Sequence, residues 1–264
     1  MNPPNEIAKL YCEVGVKKIN TPIISTFILS LYAGIYIGSG GVCASIVSYS
    51  VSGGPGKLLS GLVFPIGLTL VLCAGAELFT GNCLLVIPLL ERKITILKLL
   101  LSWLIVYVGN FIGSLFLALM VVYGHIFDLF QKELAKSAVS TGIAKCTLSF
   151  GDAFVRGMLC NLYVCLAVWV AFGAKDLHSK ILGLWTPVLL FIVCGYEHSV
   201  ANMYYIPAAL FASYEYHIPR TNLNWGRYFY KNLIPVTLGN IVGGSILFGV
   251  GYWFIYLYEK KEKL

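Results

Sequence analysis

CGYEHSVANM at residues 194–203 and AGAELFTGN at residues 74–82 are the two stretches that decide how this chain folds. Each sets a glycine, an acid and neutral polar residues inside an apolar run long enough to read as membrane-spanning helix. In the first, Glu197, His198 and Asn202 stand where lipid would be; in the second, Glu77, Thr80 and Asn82 do so. Backbone that leaves a helix at membrane depth strands its N–H and C=O groups, so it is tolerated only where protein buries it or where it lines a cavity. Ionisable groups at that depth are costly and usually face a substrate path. Two interrupted helices meeting at a pore are therefore predicted.

The rest of the chain supports a membrane protein. Of 264 residues, 58% are hydrophobic and 12% charged, and the mean hydropathy is +0.79, outside the balance of a soluble domain. A bilayer core takes about 20 residues of helix, and uncharged runs of that order lie at 19–56, 58–76, 99–124, 157–174 and 232–258. A sixth, 181–213, is broken only by Glu197 and His198. Residues 1–20 alternate Glu6, Lys9, Glu13, Lys17 and Lys18 with Ile7, Leu10, Tyr11 and Val14, which reads as an interfacial helix and not as a cleaved signal. The eight cysteines form no Cys-x-x-Cys pair, so they read as core residues, and no metal or cofactor is expected.

A net charge of +7 does not point to nucleic acid, because the basic residues sit in short loops and tails between apolar runs. With both termini in the cytoplasm, eleven basic residues, Lys260, Lys261 and Lys263 among them, lie inside against seven outside, in keeping with the positive-inside rule.

Two features recur. The interruption at 74–82 is matched by that at 194–203, and GNFIG at 109–113 is matched by GNIVG at 239–243, with small residues four apart that permit close helix approach. A single domain, 1–264, is thus divided into halves at about 21–124 and about 148–258. Three spans per half reverse the sense of crossing, giving the inverted repeat of a transport protein.

AELFTGN, GNFIGS, FVRGMLCNLYVCLAVW, GYEHSVANM, NLIPVTLGNIVGG and GYW together resemble the formate/nitrite transporter family over about residues 5–258. The resemblance implies an all-α integral membrane protein with an aquaporin-like fold. It has six transmembrane helices in two inverted three-helix repeats, a broken second and fifth helix, and homopentamers with one pore per protomer. It places Leu78, Phe79 and Thr80 in the loop of the second helix and His198 at the centre of the pore. Phe64, Leu68 and Phe191 correspond to constrictions, Asn161 and Val164 to pore-facing positions, and Lys145 to a vestibule lysine. Pro65, Cys194 and Tyr196 depart from some relatives.

On this reading Phe64 with Phe191, and Leu68 with Leu78, Phe79 and Val164, form two apolar collars that dewet the path. Thr80, His198 and Asn161 offer hydrogen bonds to an anion between them, and Lys145 concentrates anions at the mouth. Glu77 and Glu197, with Asn82 and Asn202, hold the loops by accepting backbone N–H bonds. The expected function is a channel or transporter for small monovalent anions (hydrosulfide, nitrite or formate) in the cytoplasmic membrane. Protons are the one further partner left open. ELFTG and YEHS resemble the hydrosulfide and nitrite branches more than the formate branch. A neutral-solute channel of aquaporin type is the alternative, but its Asn-Pro-Ala pair is missing, the only Asn-Pro being at Asn2. A membrane enzyme is less favoured, since Glu197 and His198 form no His-Glu-x-x-His.

Overall fold

The computed structural model describes residues 1–51 and 53–258; Lys260, Lys261 and Lys263, counted above for topology, lie outside them. The regular elements among the described residues are all helical. They are α1 (Pro4–Ile19), α2 (Ile23–Ser50), α3 (Gly53–Ala74), α4 (Phe79–Leu90), α5 (Ile96–Tyr123), α6 (Glu133–Cys146), α7 (Phe150–Gly173), α8 (Leu177–Val193), α9 (Ser199–Glu215) and α10 (Trp225–Tyr258), with a short turn of helix at Ile126–Asp128. Five of them, α2, α3, α5, α7 and α10, are long and apolar enough to cross a membrane; α4 and α8 are shorter apolar helices.

The ends of α3 and α8 follow from their glycines. Gly75 and Gly195 adopt φ of +75° and +70°, a left-handed conformation that only glycine takes without steric cost. The chain then reverses, and the next N–H returns to the helix: Ala76 donates to Val71 O at 2.9 Å and Tyr196 to Phe191 O at 3.0 Å, the closure common at helix C-termini. Within α3, Pro65 has no N–H to give, and the ladder resets there with Gly67 donating to Phe64 O at 3.0 Å.

Small residues bring helices into backbone contact. A Cβ on Gly113 of α5 would strike Leu31 O of α2, and one on Gly243 of α10 would strike Met158 O of α7. The motifs GNFIG and GNIVG therefore seat two helix pairs in the same manner. The main core joins Ile37, Phe64, Val106, Val164, Phe191 and Tyr204, while a second cluster at the other end packs Tyr11 of α1 against α4, α7 and α10 through Cys83, Trp169 and Phe248. Along α5, Leu97, Leu100, Leu104, Val108, Ile112 and Phe116 are exposed, a continuous apolar stripe for lipid or another subunit.

Three elements differ from the sequence reading. α7 begins at Phe150, not 157, taking in Asp152 and Arg156, because Ser149 Oγ caps it by accepting from Asp152 N at 3.0 Å. α2 stops at Ser50, short of 56. α6 lies in a stretch read only as a connection between the halves; its polar composition hides it from hydropathy. α10 contains wide turns at Tyr228–Leu233, Val242–Val250 and Phe254–Tyr258.

Candidate functional site

Residues 75–78 and 194–198 leave the helices, and their backbone groups must find partners. Two asparagines supply them. Asn110 of α5 accepts from Phe79 N at 2.9 Å through Oδ1 and donates through Nδ2 to Ser30 O at 2.8 Å and Glu77 O at 2.9 Å. Asn240 of α10 accepts from Ser199 N at 2.9 Å and donates to Gly157 O at 2.8 Å and Glu197 O at 3.0 Å. Both side chains are fully buried. The sequence reading quoted both motifs for their glycines and gave these asparagines no task; their identical place in a duplicated Gly-Asn-x-x-Gly was the available signal.

The two acids are held alike. Glu77 takes Lys18 Nζ at 2.8 Å on both oxygens and Asn82 Nδ2 at 2.8 Å. Glu197 takes Lys145 Nζ at 2.8 and 3.0 Å, Asn202 Nδ2 at 2.7 Å and Asn232 Nδ2 at 3.2 Å. The donors among the described residues are side chains, where the sequence reading expected backbone N–H groups. Lys18 and Asn232 were missed as members. A carboxylate at this depth is expensive unless a cation and further hydrogen bonds meet it, and each loop carries such a set.

Next to each acid-bearing loop lies one half of the central polar pair. Thr80 Oγ1 and His198 Nε2 are 2.9 Å apart, both buried, although the residues are 118 positions apart in sequence. His198 also begins α9: its Nδ1 accepts from Ala201 N at 3.0 Å. That bond fixes the neutral tautomer, because a nitrogen that accepts carries no proton. Nε2–H then donates to Thr80 Oγ1, and the threonine hydroxyl proton is left to point elsewhere. Asn161 adjoins the pair, donating to Thr80 O at 3.2 Å and Asn240 O at 2.7 Å, while its Oδ1 is buried with no partner among the described residues.

Aromatic rings close one side. Phe64 meets Phe191 edge to face at 5.9 Å, and Phe191 stacks on the His198 ring at 6.1 Å. A hollow of about 490 Å³ is lined among others by Lys57, Lys145, Arg156, Ile192, Tyr196 and Glu197. On the other side a cavity of only about 30 Å³ is lined by Tyr11, Lys18, Leu68, Leu78, Gly81 and Asn82. Thr80 and His198 line neither, and their chain neighbours line one each. Val164 is buried in the main core. Phe79 turns away from both hollows: its ring meets Tyr107 at 4.9 Å and Trp103 at 6.0 Å, and it lines a third, apolar hollow between α5 and α10. Tyr11 of α1 reaches the small cavity and donates to Gly81 O at 3.2 Å.

Known proteins carry the same frame. The formate/nitrite transporter family profile matches residues 5–254. An uncharacterized transporter of Bacillus subtilis is 38% identical, with 98% of this chain and 95% of that protein covered. A probable formate transporter of Methanothermobacter thermautotrophicus is also 38% identical, over 97% of each chain. Among solved structures, a pentameric formate channel with formate bound superposes with a TM-score of 0.79 at 35% identity, covering 89% of this chain and 98% of that one. The chain belongs to the formate/nitrite transporter family.

Proposed function

We propose that this protein passes small monovalent anions across the cytoplasmic membrane, with one path per protomer running from the large hollow to the small cavity past Thr80 and His198. The observation that carries the reading is the buried, hydrogen-bonded Thr80–His198 pair, with the chain neighbour Glu197 lining the large hollow and Gly81 the small cavity. Phe64 and Phe191 form one collar; Leu68 and Leu78, with Val164 behind them, form the other. Phe79 braces the second collar from the α5 side. An anion shedding water in the gap meets the Thr80 hydroxyl and His198 Nε2–H as donors, with Asn161 holding the Thr80 carbonyl in place, and hydrated ions are excluded by the apolar rings.

Six spans fit this path: α2, α3 with α4, α5, α7, α8 with α9, and α10, the second and fifth broken at 75–78 and 194–198. The matched asparagine and glutamate networks support two inverted repeats. The repeat also takes in α1 and α6, which extends each half beyond the limits drawn from hydropathy: Lys18 precedes Leu29 by eleven residues and Lys145 precedes Arg156 by eleven, and Leu29 O and Arg156 O each accept from the N–H of the loop glutamate at 3.3 Å. The pentameric relative supports a homopentamer, and the charge distribution supports cytoplasmic termini. Relatives named for formate support formate as the first anion to test, ahead of the hydrosulfide and nitrite that the loop sequences favour.

Reconstituted protein tests this reading. Formate, nitrite or hydrosulfide should enter protein-containing vesicles faster than protein-free ones, and glycerol should not. Glycerol uptake without anion uptake would return the alternative of a neutral-solute channel.

A further inference from the structure

Resting on that reading, the charges around the large hollow point to a different source of anion attraction from Lys145. The Lys145 ammonium is bound by both oxygens of Glu197 at 2.8 and 3.0 Å, and its side chain is 17% exposed. Its field at the mouth is therefore largely cancelled. Two other cations line the same hollow: Lys57, from the first turns of α3, and Arg156, from α7. Among the described residues no carboxylate pairs with either. Asp152, one turn before Arg156, is engaged by Ser149 instead.

Both cations belong to the surroundings of the loop. The Lys57 ammonium lies 3.2 Å from where a Cβ on Gly195 would sit, so it arches over the loop at the one residue without a side chain to block it. Arg156 is tied to the loop by its backbone, its carbonyl accepting from Glu197 N at 3.3 Å, and it lines the hollow. In the first half the residue in that place is Leu29, whose carbonyl accepts from Glu77 N, so the cation is peculiar to the large hollow. In the proposed topology both charges are also on the outer face, Arg156 being an eighth basic residue there beside the seven counted from the sequence, and basic residues there run against the insertion preference. We infer that Lys57 and Arg156 are the specificity-determining cations of the outer mouth, holding small monovalent anions over the Phe64–Phe191 collar, while Lys145 is a positioning residue for Glu197.

Charges that act through a water-filled hollow are screened by salt, and structural ones are not. Anion influx from dilute solution is measured in vesicles at about 0.01 M and about 1 M ionic strength, where screening lengths are about 30 Å and about 3 Å. The Lys57→Gln, Arg156→Gln pair should lose about tenfold in influx at low salt, and the deficit should shrink at high salt. Exchanging the cations, Lys57→Arg with Arg156→Lys, should restore most of the low-salt rate. Lys145→Gln should lower flux by the same factor at both salts. A double variant with no deficit, or with one that salt leaves unchanged, overturns the assignment, as does a salt-dependent loss confined to Lys145→Gln. Wild-type protein that passes no anion at all contradicts the channel reading itself, and this inference with it.

Discussion

His198 makes two bonds, and they place different demands on a replacement. Nδ1 caps α9 by accepting Ala201 N–H, and Nε2 faces Thr80. Asparagine is a good N-cap, so His198→Asn should keep the helix start and some anion passage while losing the Nε2–H that faces Thr80. The expected outcome is anion flux that is reduced but still measurable in this variant; a vesicle uptake assay checks it, and uptake equal to wild type would take the imidazole out of the path. Thr80→Val, which keeps shape and removes the hydroxyl, should slow flux without loss of assembly. At this scale the sequence was informative about position and less so about partners. His198, Thr80, Glu77 and Glu197 were legible because a polar residue in an apolar run needs an explanation. Their partners were not: Lys18 and Asn232 come from other helices, and contact across a fold leaves no mark in local pattern, while Asn110 and Asn240 were marked only by the duplicated Gly-Asn-x-x-Gly. Phe79 shows the same limit: its neighbour Leu78 lines the small cavity and Thr80 bonds His198, while its own ring turns to Trp103 and Tyr107.

The interrupted helices depend on Asn110 and Asn240 for partners their own turns cannot supply. Asn110→Ala would leave Phe79 N–H and Glu77 O without their partner in the interior; Ser30 O keeps its place in the α2 ladder. A single buried group left unsatisfied costs about 1–3 kcal/mol, so Asn110→Ala and Asn240→Ala should each lower stability by about 2–4 kcal/mol. Thermal unfolding of the solubilised protein would show this as a lower midpoint; an unchanged midpoint would mean that water or relaxation serves these groups. Apolar length and the glycine-and-polar interruptions made most of the helices legible. α6 was not, because a helix of 14 residues carrying Glu133, Lys136 and Lys145 has neither the length nor the apolar character that marks a span. Its kinship with α1 emerges only from contacts, with Lys145 and Lys18 each reaching the acid of one loop.

For the whole molecule, conduction should be limited by the narrow side. Leu68 and Leu78 both line the cavity of about 30 Å³, so Leu68→Ala with Leu78→Ala should widen it, raise anion flux and loosen selectivity, at a stability cost of about 2–5 kcal/mol per site. Unchanged flux and selectivity would take these residues out of the gate. The central claim is that anions cross each protomer past the Thr80–His198 pair. It is tested most directly by anion uptake into vesicles holding wild-type protein or His198→Phe, matched for protein and checked as pentamers by native mass spectrometry. Phenylalanine keeps a ring to stack on Phe191 but removes both nitrogens. The account predicts pentamers from both proteins, with anion uptake abolished or reduced at least tenfold in the variant; wild-type uptake by assembled His198→Phe would contradict it.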